Sequence, residues 1–388
     1  MGLLSLLWVA FMPILQFLLV GLLGALLASG RSKILSPDAL REINKVVFYV
    51  FTPAIIFSNL AENVTFRELV SWWYMPVNIG IIFLIGSILG WVAVKIVKPA
   101  RHLEKLVIAS CSAGNFGNLM LIVIPPVCQE NDNPFGETSV CKRHALSYVS
   151  LSMALGGLFI WTHTYSLMRQ VVASSDEASL TQSRSLAEEA QQQIDVPLLS
   201  SGKLSTGKVH IWHKVQETLQ ELGKELMSPS MIGAILGFVV GIIPWLKSLL
   251  IGANAPLRVI QDSIALLGEG MIPCTVLILG GNLTKGLRKS SVKLSTLSSI
   301  IIVRYVLLPL VGIAVVKAAG ALRLLPQDPL FSYVLLIQFA LPPALAIGTM
   351  AQLFNVGQEE CSVMFLWTYL FAAPALTIWS TIFMYTLS

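Results

Sequence analysis

Asn118 closes a seven-residue stretch, Ser112-Ala113-Gly114-Asn115-Phe116-Gly117-Asn118, that interrupts an otherwise apolar run and precedes Pro125-Pro126. Glycine loosens a helix, proline removes a backbone donor and frees a carbonyl, and each asparagine offers an amide. A helix broken in this way ends in exposed N–H groups and a positive dipole end, both suited to a carboxylate. A second stretch, Ala340-Leu341-Pro342-Pro343-Ala344 followed by Gly348, has the same character. Asn115, Gly117, Asn118, Pro125, Pro126, Pro342 and Pro343 are therefore candidate contacts for a small organic anion. Asn118 leads them, with its amide donating to the carboxylate. An interhelical hydrogen bond is the alternative use of that amide, and kinks that ease helix packing are the alternative use of the prolines.

Arg304 and Glu269 each lie near the middle of an apolar run. An ionised group at the centre of a bilayer costs about 2.5 kcal/mol or more. Their opposite signs predict a structural ion pair, or a shared aqueous cavity with a part in ion coupling or anion attraction. Cys128 and Cys141 fall in one loop, as a disulfide or as two free thiols. Asn63-Val64-Thr65 is a glycosylation sequon. No HExxH, GxSxG or CxxC motif is present, so neither enzyme chemistry nor a metal or cofactor is expected.

These residues need elements to hold them, and composition says which kind. Of 388 residues 55% are hydrophobic and 12% charged, with a mean hydropathy of +0.75. Soluble domains carry about 25% charged residues, so this chain cannot hydrate the surfaces of two or three soluble domains. Its apolar residues gather in runs of about 20, the length of a membrane-spanning helix. The net charge of +5 then marks loops on the cytoplasmic side and not a nucleic-acid surface.

Ten spans are expected: 4–28, 46–60, 72–97, 106–127 and 146–168, then 231–250, 259–279, 294–316, 331–353 and 363–387. Residues 1–168 form a first five-helix unit and 228–388 a second. Between them, 169–227 is a polar linker whose Val209, Trp212, Val215, Leu219, Leu222 and Leu226 mark an amphipathic helix on the lipid surface or packed on the bundle. Lys and Arg favour the odd-numbered short loops, twelve against seven, which places those loops and the linker in the cytosol and both termini opposite.

Proline spacing relates the two halves. Pro53 and Pro273 are 220 residues apart, and the pairs Pro125-Pro126 and Pro342-Pro343 are 217 apart. Five spans is an odd number, so a repeat of this kind is inverted in the membrane. The expected fold is an all-α membrane protein of ten helices, a five-plus-five inverted repeat with spans four and nine broken, as in secondary transporters.

Several motifs resemble the auxin efflux carriers, the PIN proteins of plants. Asn118 to Pro125 is similar to their Asn-Thr-Leu-x-x-Gly-Ile-Pro crossover, and Arg304-Tyr305 with Pro309 to their Arg-Phe-x-x-Gly-Pro. Ala340-Leu341-Pro342 with Phe354-Asn355-Val356 resembles Ala-Leu-Pro…Tyr-Asn-Val, although the PIN crossover proline of span nine aligns near Ile347. The short middle segment, Met75-Pro76-Val77-Asn78 and the GNFGN stretch fit the PIN-LIKES branch. The resemblance implies a carrier of indole-3-acetate working by elevator or rocking alternating access from cytosol to endoplasmic reticulum lumen. It also implies an endoplasmic reticulum membrane address and a homodimer. An ion-coupled antiporter or organic-anion symporter of the same plan is the alternative.

Overall fold

The computed structural model describes residues 3–29, 34–63, 65–66, 70, 72–128, 135–170, 229–252, 254–289 and 292–387. Most of the linker, including the expected amphipathic helix, lies outside the described residues. What is described is helical apart from short connections. In a bilayer this is the only way an open chain satisfies its own N–H and C=O groups.

Helix α1 (Leu3–Ala28) is followed by α2 (Pro37–Val46), a π turn over Val47–Phe51, and α3 (Thr52–Asn63). The second span thus begins nine residues before the expected Val46. Ser36 accepts the Ala39 N–H at 3.1 Å and Pro37 occupies the first turn, a start signal in the sequence that hydropathy alone passes over. Arg41 and Lys45 consequently sit on a helix and not in a loop. Next come α4 (Tyr74–Val97), α5 (Arg101–Ser112), α6 (Asn118–Val127) and α7 (Thr138–Phe159), the last continuing through a π turn at Ile160–Thr164.

The second half opens with α8 (Pro229–Ile242) and α9 (Pro244–Leu250), bent by 104° where Pro244 removes a donor. Then follow α10 (Arg258–Glu269), α11 (Met271–Lys289), α12 (Leu294–Ile302), a π turn at Val303–Leu307 and α13 (Leu308–Ala321). The chain ends with α14 (Pro329–Gln338), α15 (Ala346–Leu353) and α16 (Gln358–Leu387). Among the described residues, six helices are long and apolar enough to cross a membrane. The stretches 101–127 and 329–353 are each divided into two short helices.

The halves exchange their first helices. Helix α1 packs on α11, where a Cβ on Gly24 would come within 2.9 Å of the Leu277 Cα. Helix α8 packs on α3 in the same manner: a Cβ on Gly233 would lie 2.6 Å from the Pro53 carbonyl oxygen, and one on Gly237 2.8 Å from that of Phe57. Small residues let helix backbones approach where lipid gives no hydrophobic drive to associate. The remaining helices enclose a core in which Phe116, Phe331, Tyr333, Phe339 and Phe365 are buried.

Candidate functional site

The two divided stretches cross each other. Between α5 and α6 the chain is non-helical over 113–117, and between α14 and α15 over 339–345. The Asn115 N–H donates to the Pro342 carbonyl at 2.8 Å, and the Ala344 N–H to the Ala113 carbonyl at 2.9 Å. These reciprocal bonds make one antiparallel bridge centred on Gly114 and Pro343. Pro342 and Pro343 have no N–H to give, and each disfavours a helical conformation in the residue before it, so this segment stays open and its carbonyls become acceptors.

Helices α6 and α15 both start just beyond the bridge. In their first turns the Met120 N–H donates to the Gly117 carbonyl at 3.0 Å, and the Ile347 and Gly348 N–H groups to the Ala344 and Leu345 carbonyls at 3.1 and 2.9 Å, so only the foremost N–H groups are left to meet a ligand. Gly117 before α6, and Leu345 and Ala346 at the start of α15, line one cavity together with Asn115, Phe116 and Ala344. The other walls are Thr52, Ile55, Ile56 and Asn59 of α3, Met153 and Gly157 of α7, Ile160 and Trp161 of its π turn, and Met271 and Ile272 of α11. The cavity holds about 760 Å³ of atom-free space, part of it open to the outside. Two positive helix ends at an otherwise apolar chamber suit an acid with a hydrophobic body.

Tyr369 of α16 ties the crossing together. Its hydroxyl donates to the Pro343 carbonyl at 3.0 Å and accepts from Asn115 Nδ2 at 2.8 Å. Neither Tyr369 nor Thr52 was singled out by the sequence. Threonines 275, 368 and 377 bond the carbonyl four residues back, at 2.7, 2.8 and 2.9 Å. Thr52, at the exit of a π turn and 1% exposed, has no partner for its Oγ1 and borders the cavity. A threonine directly before a mid-span proline was the available signal.

The expected residues divide into two groups. Asn115 and Gly117 line the cavity, and Pro342-Pro343 form the bridge beside it. Asn118 begins α6 next to Gly117, and its side chain lies outside the described residues. Pro125 and Pro126 instead occupy the last turn of α6, away from the break. The residue that Pro343 meets in space is Gly114, 229 residues earlier and not a proline, so the glycines open the first stretch and the prolines the second.

The expected pairing of Arg304 with Glu269 is corrected. Arg304 is fully buried, and its Nε donates to the Ser110 carbonyl at 2.9 Å, in the last turn of α5. Glu269 is exposed at the end of α10. Through Nε alone the guanidinium meets a helix C-terminus, where unpaired carbonyls and the dipole favour a cation, while Nη1 and Nη2 are buried without a partner. Cys128 and Cys141 are joined as a disulfide. Asn63 ends α3, and its side chain with Val64 of the sequon lies outside the described residues.

Other intramembrane amides serve packing. Asn78 Nδ2 donates to Gln338 Oε1 at 2.8 Å, and Gln338 Nε2 to Ser152 Oγ at 2.8 Å, in a buried network joining α4, α14 and α7. Asn282 Nδ2 donates to Gln352 Oε1 at 2.9 Å, tying α11 to α15.

Residues 9–380 match a family described as Membrane transport protein. Protein PIN-LIKES 7 of Arabidopsis thaliana is 53% identical with both chains fully covered, and Protein PIN-LIKES 5 of the same plant is 49% identical at the same coverage. Protein PIN-LIKES 3 of Arabidopsis thaliana is 44% identical over 96% of each chain. Helices built to cross a membrane, a broken-helix crossing at an apolar cavity and this full-length likeness agree: the chain belongs to the membrane transport protein family, in its PIN-LIKES branch, a family of transporters and not enzymes.

Proposed function

We propose that this protein carries an organic acid of the auxin type, indole-3-acetate first, across the endoplasmic reticulum membrane from cytosol to lumen. The observation that carries the reading is the reciprocal bridge of 113–115 with 342–344, which brings two half-helix starts to one apolar cavity. The carboxylate is held by the N–H groups opening α6 and α15 and by Asn118. Thr52 and Asn115 add polar contacts, and Ile55, Ile56, Ile160 and Trp161 take the ring. We read α1, α8 with α9, the six long helices and the two divided stretches as ten spans in a five-plus-five inverted repeat. The exchange of α1 and α8 between the halves supports this arrangement. Units 1–168 and 228–388 then move by elevator or rocking motion, with 169–227 in the cytosol, both termini in the lumen and a homodimer as the assembly.

The test is uptake of radiolabelled indole-3-acetate by the purified chain in proteoliposomes, with benzoate as competitor control. Saturable uptake that Asn118→Ala lowers agrees with the proposal. Folded wild-type protein without saturable uptake overturns it.

A further inference from the structure

We propose that Tyr369 is a positioning residue that turns the amide oxygen of Asn115 toward the cavity, so that the site selects acids bearing a second hydrogen-bond donor, such as a ring N–H. The inference rests on the organic-acid reading of the same site.

The argument is one of proton counting. The Pro343 carbonyl can only accept, so the single hydroxyl proton of Tyr369 goes to it at 3.0 Å. The phenolic oxygen is then an acceptor toward Asn115, and the group that approaches it at 2.8 Å must be the Asn115 NH2. With the amide reversed, one hydroxyl proton would face two acceptors and leave one of them unsatisfied, so the orientation with Nδ2 toward Tyr369 is the one that satisfies both contacts. Asn115 Oδ1 is turned the other way, 3.6 Å from the position a Cβ on Gly117 would take, beside the Met153 sulfur. Asn115, Gly117 and Met153 are all cavity residues. Oδ1 is not among the buried side-chain atoms without a partner, and the bond Asn115 makes through its side chain leaves from Nδ2. The amide oxygen is therefore an open acceptor on the cavity wall.

An acceptor at that point does nothing for a carboxylate, which brings no proton. It rewards a substrate whose body carries an N–H, while the carboxylate engages the helix starts. A site arranged to bond an N–H discriminates against the isosteric analogue that lacks it, because its own polar group is left unpaired.

The experiment compares indole-3-acetate with naphthalene-1-acetate, a bicyclic acid of similar size without an N–H, in proteoliposomes of wild type, Tyr369→Phe and Asn115→Ala. The readout is the ratio of kcat/KM for the two acids, measured in the same vesicles. Wild type is expected to favour the indole acid about fivefold or more, and both variants to bring the ratio toward one. Tyr369→Phe removes the hydroxyl and keeps the ring. Asn115→Ala removes the acceptor and leaves Tyr369 bonded to Pro343, so it carries the test if the first variant does not fold. Equal efficiency for the two acids in wild type, or an unchanged ratio in either folded variant, overturns the inference alone. Absence of uptake of both acids by folded wild type overturns the organic-acid reading and this inference with it.

Discussion

Arg304 donates its Nε–H to the carbonyl of Ser110 at 2.9 Å, so a cation buried in the membrane interior is held by the end of a half-helix and not by a carboxylate. Helix α5 stops at Ser112 because the chain must turn extended to meet 342–344, and stopping leaves carbonyls without intrahelical donors. Arg304→Glu, which sets a buried acceptor against the Ser110 carbonyl, is expected to destabilise the protein by about 1–3 kcal/mol, read by thermal unfolding in detergent. Exchanging the charges, Glu269→Arg with Arg304→Glu, is expected to recover nothing over Arg304→Glu alone. Recovery of stability in the double variant would show that the two residues meet.

Thr52 separates binding from folding. Its hydroxyl is buried without a partner, so Thr52→Val, nearly the same shape, removes a group that costs stability and contributes none. The expected outcome is an unchanged or higher unfolding temperature together with a severalfold higher KM for the acid substrate, about 1 kcal/mol of lost hydrogen bonding. A lower unfolding temperature would mean that the hydroxyl has a structural bond.

If the proposed elevator or rocking motion operates, α15 parts from its neighbours on one side. Asn282 to Gln352, with Asn44 Nδ2 at 3.4 Å from the Thr349 carbonyl, fastens the flank of α15 to α11 and α2. A disulfide formed between Asn282→Cys and Gln352→Cys is expected to stop uptake, and reduction to restore it. Undiminished uptake by the crosslinked protein would place the moving contact elsewhere.

The exchanged helix contacts predict matched penalties. Gly24→Val against Leu277 and Gly237→Val against Phe57 each force a side chain into backbone, and overpacking of this kind costs about 1–3 kcal/mol. Both variants should lower the unfolding temperature, whereas Gly157→Ala, with nothing within 4 Å of its Cβ position, should not. A harmless Gly237→Val would argue against close packing of α8 on α3.

Much of the architecture is legible in one dimension. Apolar runs set the long helices, because backbone groups in lipid must be satisfied within their own segment and side chains must suit hydrocarbon, both local requirements. The breaks at 113–117 and 339–345 follow from glycine, asparagine and proline, which act on their own turn of helix. Asn115, Gly117, Pro342 and Pro343 were found on that basis. Hydropathy could not see Ser36-Pro37 starting α2 early, since capping depends on a hydrogen bond and not on polarity.

What a residue faces is another matter, because it is set by elements distant in the chain. Proline spacing relates Pro125-Pro126 to Pro342-Pro343 along the chain but does not say what either pair touches; the fold set Gly114 against Pro343, two different residues that open a helix by different means. Opposite charge suggested Glu269 for Arg304, but a broken helix creates a partial negative charge that no residue letter records. Tyr369 and Thr52 looked like ordinary span residues, and only the meeting of α16 and α3 with the crossing gave one an amide to orient and the other a cavity to face. Composition and local propensity determined that this chain crosses a membrane and where its helices break; tertiary structure decided the partners, because hydrogen bonds and helix dipoles act across space between residues hundreds of positions apart.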